Sequence, residues 1–371
     1  MRAPRRSSDH FVRYEGVERV NAEGSTRAAA VLRSGLAVDV RVVPRASYGA
    51  AMHYFTGSKA HNIAVRRMGQ ERGLKINEYG VFRGEDRIAG ETEESVYASV
   101  GLPYIEPELR EDRGELEAAR EGRLPKLVRV EDLRGDLHAH STATDGRDSV
   151  RAMAEAAAAR GLAYLAMTEH SRRLRMVRGL DPDRLRRECE AIDRLNEQLD
   201  GIVVLKGIEV DILADGSLDL PDDVLGELDL VVGAVHGHFD LPRQAQTERI
   251  LRAMDRPFFS ILAHPSARLV QKRAPLDVDM ARVIRHAKER GCFLELDAQP
   301  ERLDLTDVHA RMARDEGVLV AVSSDAHRVA DLDNLRFGVI QARRGWLSKS
   351  DVLNTRPLAS LRKLLRRTMR R

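Results

Sequence analysis

Residues 136–146 read DLHAHSTATDG. Two histidines, His138 and His140, stand two positions apart behind an apolar approach, and Asp145 follows five residues after the second. In an extended strand, residues i and i+2 point to one face. The two imidazoles therefore converge, and the reading of the downstream chain turns on what they converge upon.

From about residue 128 onward the chain alternates short apolar or β-branched runs with helical stretches. The runs are VRVEDLRGDLHAH, AYLAMTEH, IVVLKGIEV, LDLVVGAVHGH, FFSILAHP, CFLELDAQP and VLVAVSSDAH. Between them, RDSVRAMAEAAAARG stops at Gly161, a residue suited to a helix C′ position. DPDRLRRECEAIDRLNEQLDG opens with Asp181 as cap and Pro182 in the first turn. Alternating strand and helix predicts parallel β with crossovers, and seven such units fit a closed or nearly closed α/β barrel.

Six of the seven runs end in residues able to ligate a metal: His138 and His140; Glu169 and His170; Glu209; His236 and His238; His264; Asp325 and His327. CFLELDAQP alone shows no evident ligand. Strand C-termini of an α/β barrel share one face, so these groups are expected to meet in one bowl. Seven of the 12 histidines fall at strand ends; His10, His53, His61, His286 and His309 are read as ordinary surface or core residues. The donors are imidazole and carboxylate without thiolate, which suits Mn²⁺, Zn²⁺ or Fe(II). So many ligands imply two or three ions. Such a site suits water attack on phosphorus, with cations neutralising phosphate charge and no covalent protein nucleophile.

The 371 residues suggest more than one domain. An apolar fraction of 43%, a charged fraction of 32% and a net charge of +3 describe an ordinary globular chain, and this weak basicity permits nucleic-acid binding without arguing for it. Cys189 and Cys292 form no thiolate motif, and a reducing cytoplasm is expected. No apolar run approaches the roughly 20 residues of a membrane span, so no membrane association is expected. The basic ends, MRAPRR and RKLLRRTMRR, are read as solvated tails.

DLHAHSTATDG, TEHS (168–171), GIEVDIL (207–213), VVGAVHGH (231–238), ILAHP (261–265) and VSSDAH (322–327) stand in the motif order of the polymerase and histidinol phosphatase (PHP) superfamily, which residues 129–371 resemble. The resemblance implies a distorted seven-stranded barrel with a trinuclear centre. It implies that His138, His140, Glu209 and Asp325 hold one ion. Glu209 bridges to a second shared with His236 and His264, and Asp145, His170 and His327 hold the third. Asp136 would orient a ligand histidine from behind. Where the family has TDH this chain has TEH, with Glu169, and a retuned third site is expected. His138 and Glu209 are the expected catalytic centre, and His238 is a candidate to protonate a leaving group. Among Arg268, Arg273, Arg302 and Arg328, Arg268 is the first candidate for gripping phosphate.

Residues 36–82, LAVDVRVVPRASYGAAMHYFTGSKAHNIAVRRMGQERGLKINEYGVF, are similar to the palm-to-thumb region of family X DNA polymerases. YFTGS (54–58), Asn62, Arg66 and INEYG (76–80) match the thumb, which implies DNA contacts by Tyr54, Phe55, Gly57, Asn62 and Arg66. Residues 108–128 resemble the acidic linker that joins polymerase to PHP domain in bacterial members. The expected organisation is a partial palm (1–46), a thumb-like domain (47–105), a linker (106–128) and a PHP metallohydrolase (129–371). The small N-terminal region is thus α+β and the C-terminal one α/β. Asp39 matches the third palm carboxylate, but no Asp-x-Asp pair precedes it. Nucleotidyl transfer needs all three, so no templated synthesis by this chain alone is expected, as for a shortened palm.

The leading expectation is a Mn²⁺- or Zn²⁺-dependent phosphoesterase on DNA ends, bound at a primer terminus or gap. The resemblance implies 3′–5′ exonuclease activity, with 3′-phosphatase or abasic-site cleavage beside it. The alternatives are a small-molecule phosphatase of the histidinol-phosphate type, and a DNA-binding subunit that completes a separate polymerase subunit in trans.

Overall fold

The structure, a computed structural model, describes residues 3–369; Met1, Arg2, Arg370 and Arg371, at the extremes of the two basic ends, lie outside the described residues. The chain divides into two compact units, residues 1–124 and 125–371.

The first unit opens with α1 (Ala3–Val12) and an antiparallel sheet of β1 (Val17–Glu23), β2 (Arg27–Leu32) and β3 (Ala37–Arg41). Asp39 lies on β3 with its carboxylate held by Arg27 at 2.8 Å and Arg41 at 2.6 Å. Helices α2 (Tyr48–Thr56) and α3 (Lys59–Gln70) follow. Next come a meander of β4 (Lys75–Asn77), β5 (Gly80–Arg83) and β6 (Asp86–Ala89), and then α4 (Glu93–Ser99) and α5 (Glu115–Arg120). Ser58 caps α3 by accepting from His61 N at 3.3 Å. The interior includes a polar chain: His61 Nδ1 meets Glu115 Oε1 at 2.6 Å and His61 Nε2 meets the Tyr97 hydroxyl at 2.8 Å. Glu115 also accepts the N–H groups of Asp112 and Arg113. Residues 108–120 therefore fold with this unit and not as an open spacer, because Glu115 finds three donors in the interior and is fully buried.

The second unit is a seven-stranded parallel sheet, ordered along the chain: β7 (Gly135–Asp136), β8 (Tyr164–Met167), β9 (Val203–Asp211), β10 (Leu230–Ala234), β11 (Ile261–Leu262), β12 (Phe293–Asp297) and β13 (Val320–Ser323). Helices α6 (Val150–Ala159), α7 (Pro182–Asn196), α8 (Asp222–Leu225), α9 (Arg243–Met254), α10 (Met280–Arg290) and α11 (Asp307–Glu316) form the crossovers, and α12 (Leu335–Arg344) and α13 (Leu358–Thr368) follow β13. β8, β10, β12 and β13 are buried at every position, which is why they read as unbroken apolar runs. The barrel nearly closes. Ala139 bridges to Ala326 past the ends of β7 and β13, and Asn354 fills the seam, donating to Gly135 O and Val322 O and accepting from Val322 N. Gly135 has no room for a side chain, since a Cβ there would lie 2.0 Å from the Tyr164 ring.

The C-terminal basic stretch corrects the expectation of a solvated tail. Its residues 362–368 lie in α13, which buries Leu361 and Leu365 against the barrel while Arg366 and Arg367 face out. The arginines masked a helical apolar stripe. No helix among the described residues is long and apolar enough to cross a membrane.

Candidate metal centre

The nine residues expected as ligands gather at the carboxyl ends of the barrel strands. His138 and His140 leave β7, His170 leaves β8, Glu209 lies near the end of β9, His236 follows β10, His264 follows β11, and Asp325 and His327 follow β13. The turn after β7 adds Asp145. Around Glu209 and Asp325, His138 Nε2 lies 3.6 Å and 3.5 Å from the two carboxylates, and His140 Nε2 lies 3.7 Å and 3.1 Å away. Oε1 of Glu209 faces His236 Nε2 at 3.2 Å and His264 Nε2 at 2.9 Å. Oδ2 of Asp145 faces His170 Nε2 and His327 Nε2, both at 3.4 Å. Three overlapping groups have ligand atoms mutually within 4.8 Å: His140, Asp145, His170 and His327; His138, His140 and Asp325; His170, Glu209 and His236.

These atoms fit cations better than they fit one another. His138 Nε2, both nitrogens of His140, His264 Nδ1 and Glu209 Oε2 are buried without a hydrogen bond. An unsatisfied buried polar group costs about 1–3 kcal/mol, so a cluster of them calls for a missing partner, and the donor set is one for Mn²⁺, Zn²⁺ or Fe²⁺. Charge points the same way. Burial raises the Glu209 carboxyl, yet His236, His170 and His138 outweigh it and hold it well below the carboxylate range. Burial lowers the His138 imidazole, but Glu295, Asp325 and Glu209 hold it well above its ordinary value. His140, buried beside His170 and His327, is pushed down to about 3. The backbone is strained at the rim: His238, His264 and Asp325 have φ of 55°, 26° and 48°.

The supporting residues include several that the sequence did not disclose. Glu295, on the strand that seemed to lack a ligand, takes His138 Nδ1 at 2.7 Å and the His264 N–H at 2.8 Å. It thereby fixes which nitrogen of His138 faces the centre. Asp136 holds backbone, not an imidazole ring: it accepts from the N–H groups of His138 and Ser324. Asp211 lies 3.5 Å from His236 Nδ1 and 2.9 Å from Arg173. Glu169 accepts from Ser141 and Thr144, so it braces the turn that carries Asp145, and burial pushes its carboxyl up to about 7.

The arginines divide differently from the expectation. Arg268 donates to Arg302 O at 2.7 Å and Leu303 O at 2.5 Å, because the 299–305 loop folds back over it. Arg302 is the one directed at the centre, 3.2 Å from Asp297 and 3.7 Å from Asp325. Arg273 stacks on Phe239 at 4.1 Å, and Arg328 pairs with Asp331. His238 is exposed at the rim, 3.5 Å from Arg173 Nη2, on a turn whose carbonyls are held by Gln246 and Arg249.

In the first unit, Tyr54 and Phe55 pack edge to face at 5.1 Å at the end of α2, which Gly57 closes at φ 72°. Asn62 Nδ2 donates to Tyr54 O at 2.7 Å, and Tyr54, Asn62 and Arg66 line one small cleft with His53, Ile76 and Asn77. The five expected contact residues thus lie around the α2–α3 junction.

Residues 51–111 match the DNA polymerase beta thumb family and residues 136–298 the PHP domain family. The chain is 38% identical over 98% of its length to the DNA polymerase/3′-5′ exonuclease PolX of Bacillus subtilis, and spans 64% of that relative. It is 28% identical over 59% of its length to a probable phosphatase of Thermoanaerobacter sp., covering 85% of that protein. Among solved structures, histidinol phosphate phosphatase from Lactococcus lactis, complexed with Zn, L-histidinol and phosphate, is similar with a TM-score of 0.40 at 16% identity, over 56% of this chain and 93% of that one.

Proposed function

The chain belongs to the family X DNA polymerase group that carries a PHP domain, and on that premise we propose that its barrel is a metal-dependent phosphoesterase acting on DNA 3′ ends as a 3′–5′ exonuclease. Removal of a 3′-phosphate, a terminal monoester, and cleavage of the internal phosphodiester at an abasic site would use the same attack of water on phosphorus. The observation that carries the reading is the ring of buried imidazoles and carboxylates at one rim, in which His138 Nε2, both nitrogens of His140 and Glu209 Oε2 lie near one another without a hydrogen bond.

His138, His140, Glu209 and Asp325 would hold one cation, Glu209, His236 and His264 a second, and Asp145, His170 and His327 a third. Mn²⁺ or Zn²⁺ bound there supplies Lewis acidity toward water and toward phosphate oxygens. The protein does the rest. Glu295 holds His138 in one tautomer. Arg302, braced by Arg268, offers a guanidinium to the phosphate as it enters beside Asp325. His238 stands at the rim to give a proton to the departing oxygen. Tyr54, Phe55, Gly57, Asn62 and Arg66 would contact the DNA that presents the end. Templated synthesis is not part of the reading: Asp39 is held by Arg27 and Arg41, and among the described residues no carboxylate pair is found with it.

The test is incubation of the purified chain, loaded in turn with Mn²⁺ and Zn²⁺, with end-labelled single-stranded and 3′-recessed DNA and, separately, with L-histidinol phosphate. Stepwise shortening from the 3′ end that disappears in His138→Ala is expected. Turnover of histidinol phosphate with intact DNA would instead favour the small-molecule reading, which the match to a phosphatase over 85% of that protein's length keeps in view.

A further inference from the structure

The segment leaving β8 after His170 reads SRRLRMVRGL (171–180), with arginines at 172, 173, 175 and 178. It is tied down on both sides of the metal centre. Arg173 reaches Asp211, the carboxylate beside His236, at 2.9 Å. Arg178 donates to Thr142 O at 3.2 Å and to Thr144 O, within the turn that carries Asp145. Arg172 lies 3.5 Å from Asp219. Between these ties, the turn Arg175–Val177 has no buried residue, with Arg175 and Met176 exposed.

Two side chains on that turn are left without a structural task. No partner is found for the Arg175 guanidinium among the described residues. Met176 is 99% exposed, the most exposed large apolar side chain in the described structure. A free guanidinium favours phosphate. A thioether on three rotatable bonds packs readily on flat polarisable faces. One ligand class alternates these two chemistries along its length: a polynucleotide strand, with backbone phosphate and exposed base. A small phosphomonoester offers a single phosphate, which the centre itself engages, and leaves nothing for this turn.

We infer that residues 172–178 guide a single-stranded polynucleotide into the centre, Arg175 contacting a backbone phosphate and Met176 packing on an adjacent base. This rests on the phosphoesterase reading of the same site and adds the residues that select a strand over a small ester.

The experiment compares steady-state hydrolysis of a single-stranded oligonucleotide and of bis-p-nitrophenyl phosphate by the Mn²⁺-loaded full chain. For R175A/M176A, the ratio of kcat/KM on oligonucleotide to that on ester should fall about tenfold, through KM. The log–log salt dependence on oligonucleotide should flatten by about one unit, the signature of one lost phosphate contact. R175K should restore the salt dependence, and R285E, a charge change on α10, should leave the ratio as it was. An unchanged ratio in R175A/M176A, or an equal fall in R285E, overturns the inference. Wild-type enzyme that turns over the ester but not the oligonucleotide overturns the DNA reading beneath it, a distinguishable failure.

Discussion

Glu295 is not itself among the nine candidate ligands, yet it controls two residues that are. Its carboxylate orients His138 through Nδ1 and pins the backbone of His264. Replacing it with Gln keeps size and removes charge. The expected result for Glu295→Gln is a loss of about 10–100-fold in metal affinity or activity, read by metal titration beside exonuclease rate. A wild-type metal isotherm would show that His138 needs no such support. Asp39→Ala, by contrast, should leave the nuclease rate unchanged. Most of the ligands were legible because they sit at or just beyond the ends of strands, and spacing along the chain displays that. Glu295 was not, since its partners are 157 and 31 residues away and meet it only after the sheet forms. The alternation of Glu295 and Asp297 in FLELD puts both on one face, the single trace it left. His53 gives a second residue-scale prediction. Burial, with His61 and Arg110 nearby, lowers its imidazole from 6.5 to about 3. The folded state thus binds fewer protons than the unfolded one, so this contribution is present above pH 6.5 and is lost as pH falls toward 3. Six of the seven tyrosines lie in the first unit, so tyrosine absorbance reports on it. His53→Gln should flatten its acid transition in that window, and an identical transition would remove His53 from the explanation.

Strands and helices carry the arrangement of those residues, and their strengths differ. β9 is nine residues long and β11 only two, yet each delivers one ligand. The period-2 and period-3.6 patterns predicted seven alternating strand–helix units because both faces of the sheet are covered and apolar. The same patterns miss α13, whose Leu361 and Leu365 are diluted among basic residues, and they miss the seam entirely. At that seam Asn354 satisfies three backbone groups between β7 and β13, the strands that present His138, His140 and Asp325. Each group left unpaired and buried costs about 1–3 kcal/mol. Asn354→Ala is therefore expected to lower stability by several kcal/mol, on the order of three such groups, and to weaken metal binding with it. Urea unfolding measures the first effect. A change below about 1 kcal/mol would mean that water replaces the amide without loss.

At the scale of the whole molecule, two units of different chemistry sit in one chain, and the metal requirement belongs to one of them. All nine candidate ligands lie in residues 125–371. So does Trp346, the single tryptophan, buried beneath the Arg311 guanidinium at 4.0 Å. Its fluorescence is consequently a selective report on the barrel. Ions that bind the folded barrel and not the unfolded chain stabilise it by RT ln(1 + [M]/Kd), about 4 kcal/mol at a thousandfold excess over Kd. The melting midpoint of Trp346 fluorescence should rise with Mn²⁺ or Zn²⁺ and fall when a chelator strips them. The dependence should be largest for the wild type. It should shrink in His264→Ala, which removes one ligand, and shrink most in Glu209→Ala, because that carboxylate faces His138, His140, His170, His236 and His264 together. A midpoint indifferent to chelator, or a Glu209→Ala protein that responds to metal as the wild type does, would leave the imidazole–carboxylate ring without a cation to explain it.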